Sequence, residues 1–179
     1  MRLSKPRIPA LPPEQWNSKA QELMQPYVES GSDYNVFRTL MNHPDLAGRW
    51  LVFATHVLAK STLPERDREL LILRIGHRCR SDYEWNKHAE IGRFIGMSEA
   101  AIDSSKTGPA TEGLPKLDRL LLQATDELHD DAFISDATWS ALSQHYSTEQ
   151  LMDLVFAVGQ YNLVSMALNS FGVQADPPR

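Results

Sequence analysis

The sequence predicts an all-α fold, a single-domain bundle of about eight or nine helices. Three observations point there. Apolar residues recur at i, i+3 and i+4 through almost the whole chain, strand-type alternation is nearly missing, and Ser, Thr and Pro stand where helices begin. Residues 1–12 read as a Pro-rich leader and 13–179 as one domain. Pro13 suits a first turn, and Trp16, Ala20, Leu23 and Tyr27 give the first helix its stripe over 13–27. The stretches 34–43 and 44–60 read as two further helices, the second opening at Pro44. Thr62 and Glu65 have the spacing of a capping box for a helix reaching about residue 78, and Ser81 and Glu84 repeat that spacing for a helix to about residue 95. Gly96 suits a left-handed helix end, and Ser98 can cap the short segment after it. Residues 107–113 form the central loop. Helices follow over about 114–129, 135–145 and 148–170, with Gly172 closing the last.

Composition narrows the function. Of the 179 residues, 42% are hydrophobic and 23% charged, which excludes a disordered or fibrous chain. Eighteen Lys and Arg against 23 Asp and Glu leave a net charge of −5, which points away from nucleic acid. The longest near-apolar run, 50–59, contains Thr55 and His56 and is too short to span a bilayer. A cytoplasmic protein without a membrane partner is expected. Cys79 is the single cysteine, so no intrachain disulfide forms. The histidines show no metal-ligand spacing, and no phosphate loop, nucleophile elbow or dinucleotide fingerprint occurs. No metal and no cofactor are expected.

The segment 81–95 carries the most chemistry. Ser81, Glu84, His88, Ile91 and Ile95 share one helix face, so three polar groups continue an inward apolar stripe. Glu84 and His88 are an i,i+4 pair, and a carboxylate beside an imidazole raises its pKa and orients it for proton transfer. The same residues also read as a plain helix cap with a hydrogen-bonded core histidine, and spacing leaves both open. Glu69 opens an apolar run, with Arg66, Arg68 and Arg74 as available partners. Two antiparallel helices with a short turn would let it approach His88. In the last helix, Leu151, Val155 and Val158 continue as Asn162, Ser165 and Asn169, with Tyr161 beside them. That stripe suits a polar pocket wall, a subunit contact or a small packing network.

The stretches LPERDRELLILR (63–74) and SDYEWNKH (81–88) resemble the carboxymuconolactone decarboxylase family, as do VGQYNLVSMALNSFG (158–172), NVFR (35–38) and His43-Pro44. The resemblance covers most of the chain. It implies an alkyl hydroperoxidase D-like helical subunit that assembles as a homo-oligomer, a dimer, trimer or hexamer. The hydroperoxidase branch carries a glutamate, then C-x-x-C, then a histidine four residues on. Glu69 and His88 fall on its glutamate and histidine, but Ser81 and Glu84 fall on its cysteines, so its dithiol chemistry has no matching thiols. The decarboxylase branch needs no thiol, metal or organic cofactor. It implies a small-molecule substrate, a carboxylated lactone or related enolisable acid. His88 would be the general acid or base, Glu84 and Glu69 would orient it, and Ser81, Tyr83, Asn162 and Asn169 would bind substrate. A hydroperoxidase-like protein using Cys79 and a non-catalytic helical oligomer that binds a ligand or protein are the alternatives.

Overall fold

The computed structural model describes residues 2–177, in which nine α-helices and one short 3₁₀ turn occur and no strand. The helices are α1 (Ser18–Glu29), α2 (Asn35–Leu40), α3 (Pro44–Ala59), α4 (Glu65–Arg78), α5 (Asp82–Phe94), α6 (Glu99–Thr107), α7 (Lys116–Asp131), α8 (Asp136–Leu142) and α9 (Thr148–Phe171).

Helix α4 is the axis of the fold. Leu70, Leu71, Ile72, Leu73 and Ile75 are fully buried and occupy every side of the helix, so it needs neighbours all round. It packs against α5, α6, α7 and α9. Two arginines on its flank are fixed by α7: Arg66 forks onto Asp118, and Arg74 meets both oxygens of Asp126 at 2.7 Å while donating to the Ser105 and Lys106 carbonyls at 3.0 Å. Gly108 lies against that guanidinium at φ +90°, ψ −161°, where a Cβ would stand 2.4 Å from Arg74 Nη2. Only glycine fits there.

Helix α9 ends as the sequence predicts, with Gly172 left-handed at φ +71°. Leu151, Leu154, Ala157, Val158 and Leu168 are buried, while Met152, Phe156, Leu163 and Met166 are exposed. Apolar residues therefore surround the helix, and among the described residues it alone is long and apolar enough to cross a membrane. Half of it is packed inside the protein, as in the core helix of a globular domain.

Several local expectations change. The first helix does not run from Pro13. A 3₁₀ turn at Pro13–Gln15 ends in extended backbone, and Asn17 restarts the chain as an N-cap, accepting Ala20 N–H at 2.9 Å. Thr62 and Glu65 do not form a capping box. Pro64 is the N-cap residue of α4, and Thr62 gives both its N–H and its hydroxyl to Asp153 on α9, at 2.6 and 2.8 Å. A carboxylate far along the chain outcompetes the local cap. The leader lies on the domain, with the Arg7 and Ile8 N–H groups donating to Phe171 O and the Leu11 N–H to Arg38 O.

Candidate active site

Helix α4 ends at Cys79, Arg80 turns left-handed at φ +53°, and α5 begins two residues later. The short turn folds α5 back against α4, so that Glu69 faces His88. The Nδ1–H of His88 donates to Glu69 Oε2 at 2.6 Å, and Nε2 lies 3.0 Å from Glu84 Oε1, one turn back on α5. Both ring nitrogens are thus engaged by carboxylates. The Tyr161 ring of α9 stands edge-on to the imidazole, with centroids 4.9 Å apart. All three members of the unit are buried, Glu69 completely. Glu69 Oε1 has no hydrogen bond among the described residues and lies 3.5 Å from Nη2 of buried Arg68.

Two carboxylates, one imidazolium and one guanidinium bring the cluster's charge to zero, the condition under which ionised groups can be buried together. Burial opposes the imidazolium, but the charges and hydrogen bonds of Glu69 and Glu84 outweigh it and push the His88 pKa up to about 10. His88 therefore holds its proton at neutral pH.

The two readings left open for Ser81 and Glu84 now separate. Ser81 occupies the N-cap position of α5 without a side-chain cap bond, and its hydroxyl, although buried, has no partner among the described residues. Glu84 reaches forward to His88, not back to the helix start. Its second carboxylate oxygen has no hydrogen-bond partner among the described residues.

Glu84 and His88 line a cavity of about 450 Å³ between α2, α3, α5 and α9, within the usual range for small-molecule sites. Its walls are mainly apolar and aromatic, among them Phe37, Trp50, Leu51, Leu58, Ile91 and Val164. Tyr83 also lines it, but its hydroxyl donates to Asp176 at 2.8 Å and accepts from the Val36 N–H at 3.4 Å, which ties the C-terminal segment and α2 to this wall. Ser81 lies instead along a wider groove on the other side of α5. Asn162 and Asn169 do not line the cavity. Asn162 Oδ1 accepts from the Cys79 thiol at 3.0 Å, and Asn169 Nδ2 donates to the Cys79 carbonyl at 2.9 Å. Of the seven residues singled out in the sequence, Glu69, Glu84, His88 and Tyr83 come together, and Ser81, Asn162 and Asn169 gather around the end of α4. Gln160, Tyr161 and Val164 are the cavity's α9 wall. In the sequence Tyr161 stands only beside the polar stripe, and Gln160 carries no signal because α9 is apolar on all sides.

The carboxylates do not converge as ligands of one ion would, since each takes a different nitrogen of the ring. Among the described residues, no group of three His, Cys, Asp or Glu side chains is placed to hold a metal ion.

Residues 44–127, from the start of α3 through most of α7, match the carboxymuconolactone decarboxylase family. No curated protein matches the chain. Among solved structures, the alkylhydroperoxidase AhpD core of an uncharacterised peroxidase-related protein from Ralstonia eutropha JMP134 superposes with a TM-score of 0.80 at 18% identity, over 94% of this chain and 93% of that one. An uncharacterised peroxidase-related protein from Silicibacter sp. TM1040 gives 0.78 at 16% identity, over 98% and 91%. The debrominase Bmp8, solved in complex with 2,3,4-tribromopyrrole, gives 0.74 at 13% identity, over 97% and 93%. At these identities the likeness is one of fold. The family match thus spans α3 to α7, and over nearly its whole length the chain has the fold of the AhpD core.

Proposed function

We propose that the protein is a cofactor-independent enzyme that moves a proton on a small enolisable substrate, in an isomerisation or a decarboxylation. The Glu69–His88–Glu84 unit is its acid and base. One observation carries this reading: a buried imidazole with a carboxylate at each ring nitrogen presents one of those carboxylates to a small cavity. Because neither ring nitrogen is free, His88 acts through Glu84. Glu84 is the group that meets substrate, His88 holds it in place and supplies the compensating charge, and Glu69 fixes the ring. The complex of a fold neighbour with 2,3,4-tribromopyrrole supports a small ring compound as the kind of molecule such a subunit accommodates.

The thiol reading is the weaker one. Cys79 does not line the cavity, its thiol donates to Asn162, and burial raises its pKa, which reduces the thiolate that would attack a peroxide. The test is an assay in heavy water over a panel of enolisable ketones, β-keto acids and carboxylated lactones, with mass spectrometry following deuterium uptake and loss of CO2. Wild type and Cys79→Ser are expected to turn over the same substrate at the same rate. Peroxide consumption that Cys79→Ser abolishes, with no deuterium uptake in wild type, would replace this reading with the thiol one.

A further inference from the structure

The charges around the cavity constrain what enters it. Four ionisable side chains with charge at neutral pH line its wall: Glu84, Lys87, His88 and Glu90. Both cations are spoken for. His88 is held between Glu69 and Glu84, and the Lys87 ammonium lies 3.0 Å from Glu90, 3.5 Å from Asp176 and over the Tyr34 ring. A carboxylate entering here would lose its hydration, meet no unpaired cation and face Glu84 and Glu90. That combination disfavours an anion.

The α9 wall supplies what the charges do not. Gln160 and Tyr161 are 5% and 7% exposed, both line the cavity, and neither the amide nor the phenol has a hydrogen-bond partner among the described residues. Two neighbouring polar side chains of largely buried residues, without a protein partner and on a ligand-sized cavity, mark where a ligand's polar atom belongs. Burial and the nearby carboxylates hold the Tyr161 pKa well above its ordinary value, so the hydroxyl remains a donor.

We infer that the cavity takes an uncharged, ring-sized enolisable carbonyl compound, with the Gln160 amide and the Tyr161 hydroxyl receiving its carbonyl oxygen. This rests on the proton-transfer reading above and selects its isomerisation arm. Glu84 takes a proton from the carbon next to the carbonyl. The C–H electron pair becomes the carbon–carbon double bond of an enolate, and the carbonyl π pair moves to oxygen, where the two donors meet the charge. Glu84 then returns a proton, exchanged with solvent while it sits on the carboxyl group, to another carbon of the conjugated system, which restores Glu84 and completes an isomerisation with no other reactant.

The test uses cyclohexenone as the uncharged probe and cyclohexene carboxylate as its anionic counterpart, with binding read by calorimetry and deuterium uptake by mass spectrometry. Cyclohexenone is expected to bind at least about tenfold more tightly than the carboxylate and to take up deuterium. Tyr161→Phe keeps the ring against His88 and removes only the hydroxyl, and with Gln160→Leu it is expected to slow uptake by about a hundredfold, the usual effect of losing one such donor. Equal or tighter binding of the carboxylate, no binding of cyclohexenone, or unchanged uptake in both variants would overturn the inference. Tight, selective binding of cyclohexenone without deuterium uptake would uphold the cavity's preference and overturn the proton-transfer reading instead.

Discussion

Glu84→Gln is expected to reduce deuterium uptake by at least about a hundredfold, the lower end of what a positioned acid or base contributes. It should lower the melting temperature less than Glu69→Ala does, since one charge of the buried cluster is lost but the hydrogen-bonding oxygen stays. Glutamine keeps an oxygen for the imidazole and fits the same space, so the geometry of α5 has no reason to change. What disappears is the one carboxylate that both touches His88 and faces the cavity. The variant also decides against a capping role, because glutamine serves as well as glutamate at that position of a capping box. Substrate turnover at the wild-type rate would remove Glu84 from the chemistry.

Glu69→Ala should act on stability. Glu69 is fully buried, accepts from His88 at 2.6 Å and stands beside the buried Arg68 guanidinium. Its truncation leaves two buried cationic groups facing a gap, and breaking a buried pair from one side costs about 3–5 kcal/mol. For a chain of this size that corresponds to a fall in melting temperature on the order of 10 °C. Glu69→Gln keeps an acceptor and should lose less. Thermal denaturation at neutral pH checks both, and a loss below about 1 kcal/mol in the alanine variant, the range of an ordinary surface change, would contradict the account.

The parts of this site that were legible in the sequence are those fixed by one helix or one hairpin. Glu84 and His88 are four residues apart on a helix, so their meeting follows from its pitch. Glu69 could be placed opposite because α4 and α5 are joined by a short turn. The failures share a cause in long-range competition. Thr62 looked like a cap until Asp153, far along the chain, took both its donors. Asn162 and Asn169 stand out in the sequence while Gln160 lines the cavity, because a helix apolar on every side carries no phase from which to tell which face does so. The rotation of α9 is set by its packing against α3, α4, α5 and α7, none of which its own sequence encodes. The apolar walls from α2 and α3 were equally hidden, since the hydrophobic residues of a core and of a binding cavity look alike.

The central claim is that His88 is a buried imidazolium held by two carboxylates, and a titration of its ring by nitrogen-15 NMR tests it most directly. Both ring nitrogens should be protonated at pH 7 and remain so until the pH approaches about 10. The linkage runs in the same sense. A histidine whose pKa is raised on folding lends its full stabilisation below its unfolded value near 6.5 and loses it progressively as the pH rises through the folded one. A neutral ring at pH 7, titrating near 6.5 with a single protonated nitrogen, would contradict the account.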